Sequence, residues 1–147
     1  MAGACGTPPL DQLILEQAAD ALIYANRRGI IERWNQAAAT LFGFSADEAI
    51  GQSLDLIIPE RLRAGHWRGF DAAMMHGAAQ HGRVSRVTKA LVRGGGSIYV
   101  DMSFAVVCDG SGVAIGSVAV ARDVSARYRE EQALKKRLAE LEGNGGQ

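Results

Sequence analysis

The spacing of apolar and polar residues changes several times along the chain, and each change predicts a new element. Apolar residues recur at helical spacing in "LDQLILEQ", near the start. The segments "ALIYAN" and "GIIERWN" follow, and the "RRG" between them predicts a hairpin of two short strands. The folded part is therefore expected to begin with a helix that leads into an antiparallel sheet.

Two short helices are predicted within "WNQAAATLFGFSADEAIGQSL". Asn35 can cap the first, and Ser45 with Glu48 three residues later forms a capping box for the second. A longer helix is expected to have Pro59 in its first turn, where proline is tolerated, and to run to Met75, because Gly77 then stops it.

Three strands are predicted next, in "HGRVSRVTKALVR", "SIYVDMSFAVV" and "AIGSVAVARDVS". Glycine-rich turns, "GGG" and "CDGSG", join them. In the second strand the even positions from Ile98 to Val106 are apolar and should face the core. The sheet is accordingly expected to have one wet face and one covered face.

The last segment, "ARYREEQALKKRLAELEG", is rich in strong helix formers. Leu134, Leu138 and Leu141 recur at spacings of four and three, which is typical of a short coiled-coil seam. The alternative is an amphipathic helix folded back on its own domain.

Composition excludes several classes of partner. The 147 residues contain 16 basic and 16 acidic side chains, so the formal charge is zero and neither a nucleic acid nor a membrane is expected as a partner. Cys5 and Cys108 suggest no disulfide framework. No apolar run reaches the roughly 20 residues that span a bilayer, so a cytoplasmic location is expected.

The element order predicts an α+β domain with a five-stranded antiparallel sheet, short helices and one long helix on one face, an N-terminal flanking helix and a C-terminal coiled-coil linker helix. With "GIIERWNQAAATLFGFSADEAIGQSLDLIIPE", "RGGGSIYVDMSF" and "GSVAVARDVSARYREEQALKKRL", the chain resembles a PAS domain. The boundaries expected are a disordered start at 1–9, a sensor domain at 10–124, a signalling helix at 125–142 and a disordered tail at 143–147.

The resemblance implies a sensory module that acts on an effector such as a histidine kinase or cyclase domain. It also implies a homodimer formed through the N-terminal and C-terminal helices. No enzymatic activity is expected within the chain, which has no Walker loop, HExxH or GxSxG motif.

Within the PAS family, "PERLRAGHWRGF" resembles the haem-binding branch, namely the FixL-type oxygen-sensor kinases and the DOS-type haem-regulated phosphodiesterases. The resemblance implies that His66 is the proximal iron ligand of a haem b. It implies that Arg86, twenty residues later, hydrogen-bonds bound dioxygen or a distal water. The expected signal is a diatomic gas, with O2 as the first candidate, or a redox state. The residues expected to border the cofactor are Leu62, Phe70, Met74, Val84, Arg86, Met102 and Phe104.

The residues themselves give partial support to this interpretation. His66 shares a helical stripe with Leu62, Phe70 and Met74, and an imidazole in an apolar slot needs either a hydrogen-bond partner or a metal. A core histidine with a satisfied hydrogen bond is the alternative. In the haem interpretation, Nε2 holds iron and Nδ1 donates to a backbone carbonyl. For Arg86, the alternative is an arginine at a sheet end whose long stem reaches solvent.

Several positions depart from the haem-binding pattern. Val84 stands where the DOS type has a methionine ligand, which favours a vacant sixth position; Met102 is the nearest other thioether. Ala72 replaces an arginine that holds a propionate in the FixL type. His76 or His81 could contact a propionate instead.

Two other functions stay open. The chain could be a cofactor-free dimerisation and signal-relay module, with His66 and Arg86 as structural residues. It could also be a redox sensor that binds FAD non-covalently, with Trp34 as a stacking residue. A photoreceptor that forms a cysteine adduct is disfavoured, because "GQSLDLIIPE" contains no cysteine.

Overall fold

The computed structural model describes residues 6–77 and 85–145, with side chains described up to residue 143. The elements appear in the predicted order and confirm an α+β fold. They are α1 (Leu10–Gln17), β1 (Ala21–Asn26), β2 (Ile31–Trp34), α2 (Gln36–Phe42), α3 (Ala46–Ala49), a 3-10 turn (Leu54–Leu56), α4 (Glu60–His76), β3 (Arg86–Leu91), β4 (Ser97–Cys108), β5 (Ala114–Asp123) and α5 (Ser125–Gly145).

The five strands form one antiparallel sheet in the order β2-β1-β5-β4-β3. The β1–β2 hairpin and the β3–β4–β5 meander are joined through the last strand, since the whole of β1 pairs with β5. The centre of the sheet therefore combines the beginning and the end of the domain, and β2 and β3 are its edges.

The core lies between the sheet and the helices. Ile23 and Val100 are fully buried on the sheet, and Phe42 of α2 is fully buried against them in the same apolar cluster. Phe70 and Met74 bring α4 into this cluster. Burial of the apolar stripe of α4 therefore fixes which way the rest of that helix faces.

Asn35 ties three elements together with one side chain. Its Oδ1 accepts hydrogen bonds from the Ala38 backbone N–H at 3.0 Å and the Leu22 N–H at 2.9 Å. Its Nδ2 donates to the carbonyl oxygens of Leu15 at 2.8 Å and Asp20 at 3.1 Å. The predicted helix cap is confirmed, and the same residue also anchors β1 and the end of α1.

The predicted capping box of α3 is also present. Ser45 Oγ accepts from the Glu48 N–H at 3.2 Å, and the Ser45 N–H donates to Glu48 Oε1 at 2.9 Å. This backbone hydrogen bond holds the pKa of Glu48 below its ordinary value. The other carboxylate oxygen of Glu48 accepts from Arg93 at 2.6 Å, which joins α3 to the β3–β4 hairpin.

Three details differ from the sequence predictions. The long helix α4 continues to His76, one residue past Met75, before Gly77 ends it with φ +70°. Helix α5 runs to Gly145, past the boundary expected at residue 142. The outer face of the sheet is not simply polar, since Leu22 and Val120 lie opposite each other on it and are half-buried.

The remaining predictions on the helices and strands concern exposure. Three leucines of α5 are exposed, as expected for the apolar seam of a coiled coil whose partner helix is not bound: Leu134, Leu138 and Leu141. Within residues 6–77 and 85–145, no helix is both long enough and apolar enough to cross a bilayer.

Candidate functional site

His66 lies in the middle of α4, on the stripe that the spacing predicts. Phe70 and Met74 are buried further along the same stripe, while Leu62 and His66 itself are half-buried. The imidazole meets the ring of Trp67 edge-on, with centroids 4.7 Å apart, and lies 6.1 Å from that of Phe70. Two aromatic side chains, Trp67 and Phe70, therefore lie beside the His66 ring.

The Nδ1 atom of His66 is buried and has no hydrogen-bond partner among the residues that the structure describes. The donation to a backbone carbonyl that the haem interpretation expects is not seen there. Burial lowers the pKa of His66 below its ordinary value of 6.5, because it penalises the imidazolium, while Asp55 and Asp71 act in the opposite direction. The imidazole is therefore neutral near pH 7 and keeps a lone pair for a ligand.

Trp67 is held in place from two directions. Its indole Nε1–H donates to Oδ1 of Asp55 at 2.8 Å. Its six-membered ring lies against Gly29 in the β1–β2 turn, where φ is +76° and a Cβ would overlap the indole. Position 29 must therefore be glycine both for its backbone conformation and for the close approach of Trp67.

Arg63 supports the same corner of the molecule. Its guanidinium donates to the carbonyl oxygens of Ile58 at 3.0 Å and Asp55 at 3.3 Å. Its Nε also lies 3.8 Å from the Asp55 carboxylate. The segment before α4 is thus tied to the first turns of the helix, and Asp55 serves both Arg63 and Trp67.

The inner face of the sheet opposite α4 carries the predicted strand residues. Met102 and Phe104 are half-buried, and their neighbours on β5 are the small Ala121 and Ala119. Phe70 meets Phe104 edge-on at 6.4 Å between centroids, and α4 also contacts β5. Aromatic side chains therefore occupy the space between α4 and β4.

Arg86 is the first residue of β3 and pairs with Met102. Directly opposed residues of an antiparallel pair point to the same face, so Arg86 is on the inner face, as its alternation with Thr88 and Ala90 predicts. The side chain is nevertheless exposed. This conformation agrees with the alternative prediction for Arg86, in which the long side chain reaches solvent at the end of the sheet.

The other sequence candidates are scattered. Ala72 and His76 are exposed on α4. Val84 and His81 lie outside the described residues. Cys108 is exposed at the end of β4 as a free thiol.

Trp34, the proposed flavin-stacking residue, is a core residue in this structure. It is 2% exposed and its ring lies 5.4 Å from that of Phe42. Its Nε1–H donates to the Phe44 carbonyl at 2.9 Å. The residue is accounted for by packing and by one satisfied hydrogen bond.

The route out of the domain runs through β4. The Ser125 N–H donates to Asp123 Oδ1 at 2.8 Å, which starts α5. Ser125 Oγ accepts from the Tyr99 N–H at 3.0 Å, and the Val124 N–H donates to the Tyr99 carbonyl at 2.9 Å. The strand that contacts Phe70 of α4 at one position thus holds the start of α5 at another.

Sequence reasoning missed Asp55, Trp67 and Gly29 as a group. The adjacency of Trp67 to His66 was visible, but consecutive residues on a helix point in different directions and give no reason to pair them. Asp55 lies 12 residues before Trp67. Only the fold brings the β1–β2 turn, the 3-10 turn and α4 to one place.

A five-stranded antiparallel sheet with helices packed on one face and an exit helix anchored to β4 is an architecture typical of sensory domains. The sequence model of the family described as 'PAS fold' matches residues 10–124, so the chain belongs to the PAS family. Domains of this family are sensory and regulatory modules, so the chain is a PAS sensory domain.

The chain is similar to the sensor protein FixL of Bradyrhizobium diazoefficiens, with 43% identity over 53 residues. That match covers 36% of this chain and 10% of FixL, so the chain spans about a tenth of this relative. A PAS domain from Colwellia psychrerythraea superposes with a TM-score of 0.69 at 18% identity, covering 79% of this chain and 95% of the other.

An RNA-binding Light-Oxygen-Voltage receptor superposes with a TM-score of 0.70 at 19% identity, covering 97% of this chain and 42% of the receptor. At such identities, the two structural matches support the fold alone.

Proposed function

We propose that this PAS domain binds haem through His66 and senses a diatomic gas, with O2 as the first candidate, or a redox state. The observation that carries the proposal is the buried Nδ1 of His66, which has no partner among the described residues on a helical face otherwise lined by apolar side chains. A neutral imidazole on an apolar face that makes no hydrogen bond through Nδ1 to the described residues is available as a metal ligand, while a metal on Nε2 would leave Nδ1 still in need of an acceptor.

The residues around His66 fit the donor chemistry of haem. Haem iron is commonly held by one histidine and, when bound, supplies a reversible site for a gas molecule. Phe70, Met74, Met102 and Phe104 offer apolar walls. Similarity to FixL, although confined to 53 residues, supports the same class of sensor.

Space for a haem requires a movement of the chain. Phe70 and Phe104 meet between α4 and β4, so a planar cofactor next to His66 would have to separate these two rings. In the proposed function α4 therefore moves away from the sheet when haem enters. The free energy of haem binding must exceed the loss of this aromatic contact.

Arg86 is the proposed contact to the gas. It lies at the end of the inner face, opposite Met102, and its exposed guanidinium can swing inward without first breaking a described ion pair. A cationic donor favours a polar bound ligand over an apolar one. Val84 and Met102 are the remaining residues proposed for this side.

The proposed signal leaves through β4 and α5. Phe104 on β4 contacts α4, and Tyr99 on the same strand holds Ser125 at the start of α5. A movement of α4 would thus alter the position of β4, the strand that holds the start of the exit helix. Gas binding would then change the relative populations of two arrangements of α4, β4 and α5. The proposed receiver is an effector domain such as a histidine kinase or cyclase, in a homodimer that uses the exposed leucines of α5.

The test is an absorption spectrum from about 300 to 700 nm after addition of haemin, where a haem bound through histidine shows a strong Soret band. The wild type and His76→Gln should show the same band, because His76 is exposed on the same helix and is a candidate contact only to a propionate, whose loss leaves the iron ligand unchanged. His66→Gln should abolish or shift it. A wild type that takes up no haemin, or a His66→Gln protein with an unchanged spectrum, would refute the proposal.

A further comparison concerns Arg86. Arg86→Gln should weaken O2 binding about tenfold, the value of one charge-assisted hydrogen bond. Lys89→Gln is the matched control, because Lys89 lies on the same strand but on the outer face, with its ammonium over Tyr99. Equal O2 affinities in the two variants would exclude Arg86 from the gas site.

One observation favours a second function. Phe70 and Met74 are buried in the core next to His66, as expected if the interior is filled by side chains and the domain is a cofactor-free dimerisation and relay module. This second function would be supported by a colourless protein that does not bind haemin and that forms a dimer which is lost when Leu138 is substituted. A flavin spectrum in the purified protein would instead indicate an FAD-binding redox sensor.

A further inference from the structure

Trp67 is linked to His66 by more than adjacency in the sequence. The two rings meet edge-on, at 77° between planes, so the flat side of one ring limits rotation of the other. Phe70 meets Trp67 in the same way, with centroids 5.3 Å apart. Two aromatic rings of its own helix thus lie beside the half-buried His66 ring.

The indole itself has little freedom to move. Its Nε1–H is fixed by the Asp55 carboxylate at 2.8 Å, and its far end lies on the backbone of Gly29. These two contacts come from different parts of the chain and act at opposite ends of the indole. A side chain so constrained can transmit its position to a neighbour whose buried Nδ1 has no partner among the described residues.

His66 lacks the restraint that usually orients a histidine ligand. Such ligands commonly donate their second ring nitrogen to a carbonyl or carboxylate, which sets the orientation and tautomer of the ring. Here Nδ1 has no such acceptor among the described residues. Aromatic contact is the restraint that remains on the described part of the chain.

We propose that Trp67, held by Asp55 and Gly29, is the positioning residue for the His66 imidazole and replaces the missing hydrogen bond in orienting that ring for its metal. The inference rests on the proposed haem function and deepens it. Trp67 does not touch the metal; it acts through His66.

The experiment compares Trp67→Phe with Trp34→Phe in the full chain. Both substitutions remove an indole and one Nε1–H hydrogen bond, to Asp55 in one case and to the Phe44 carbonyl in the other. Phenylalanine keeps an aromatic ring at each site, so both variants should fold. Trp34 packs on Phe42, so its substitution reports the general cost of losing an indole.

Haemin titration gives the first readout. Trp67→Phe should weaken haemin binding about tenfold to a hundredfold, as is usual for residues that orient a metal ligand. Trp34→Phe should bind haemin nearly as the wild type does. The proposal is overturned if Trp67→Phe loses no more affinity than Trp34→Phe.

Nitrogen NMR of the His66 ring in the haem-free protein gives the second readout, which a merely structural role would not change. Trp67→Phe should shift or broaden the two ring-nitrogen signals, which report tautomer and ring environment, while Trp34→Phe should leave them unchanged. Unaltered signals in Trp67→Phe would overturn the positioning role. If the wild type binds no haemin, the proposed function fails, and this spectrum alone still decides the role of Trp67.

Discussion

The phenol rings of Tyr99 and Tyr128 are stacked, with centroids 3.8 Å apart and planes 18° from parallel. Tyr99 belongs to β4 and Tyr128 to the first turns of α5. Together with the hydrogen bonds between Ser125 and Tyr99, the stack fixes the direction in which α5 leaves the sheet. The junction is therefore a packed element through which the domain can act on its exit helix.

Removal of the stack should loosen this junction. Tyr128→Ala is expected to lower the free energy of unfolding by about 1 kcal/mol, the usual value of an aromatic pair. Amide hydrogen exchange should rise at the start of α5. Tyr128→Phe keeps the stacked ring and should behave like the wild type in both measurements. Equal exchange in Tyr128→Ala and Tyr128→Phe would show that the hydrogen bonds of Ser125 suffice to hold α5.

Asn35 should be among the most sensitive polar residues of the domain. Asn35→Ala removes four hydrogen bonds and leaves buried backbone groups without partners, so we expect a loss of about 3 kcal/mol in the free energy of unfolding. Gln36→Ala, at the exposed neighbouring position, is the control and should change little. Denaturant unfolding measures both. A small effect at position 35 would mean that water replaces the lost contacts.

Without haem, the protein should lose stability as the pH falls. The folded state holds the pKa of His66 below 6.5, so the unfolded chain takes up a proton more readily. The contribution of His66 is fully present above pH 6.5 and is lost as the pH falls from there through the lower folded pKa. The negative charges of Asp55 and Asp71 oppose the shift in the pKa of His66 and reduce its size.

Urea unfolding at pH values from about 8 to about 5 measures this dependence. His66→Gln should reduce the slope of stability against pH more than His76→Gln does. The interpretation fails if both variants keep the wild-type slope, because other groups would then account for the loss.

Substitution of Phe70 by leucine should lower the stability of the haem-free protein but raise its affinity for haemin. Phe70→Leu shortens the side chain that meets Phe104, which should cost about 1 kcal/mol of stability in the absence of haem. The same change makes room beside His66 and should strengthen haemin binding. Phe42→Leu, in the core but on α2, should cost similar stability without that gain.

Unfolding and haemin titration on the two variants test this prediction. A weaker uptake by Phe70→Leu would show that haem uses Phe70 as a contact instead of displacing it.

Much of the fold follows from local sequence patterns. The alternation in β4, the caps at Asn35 and Ser45 and the glycine after α4 act between residues close in the chain, so their consequences are visible without a structure. The helical stripe of Phe70 and Met74 placed the long helix on the core for the same reason. His66 was found because its spacing puts it on that stripe.

The candidate site was only partly predictable. The face of Arg86 followed from strand alternation, but its exposure did not, because exposure depends on how far the neighbouring elements extend past the sheet end. The fit of Trp34 as a flavin contact depended on what covers its ring, and Phe42 covers it in the fold.

By itself, the sequence determined the order of the elements, their caps and the apolar stripe with one histidine, since each depends on near neighbours and on the periods of helix and strand. Tertiary structure decided that β5 lies between β1 and β4, that Asn35 binds four backbone groups, and that Gly29, Asp55 and Trp67 meet beside His66. Contacts between distant segments depend on how all the elements pack around the core, and they cannot be predicted from local periodicity.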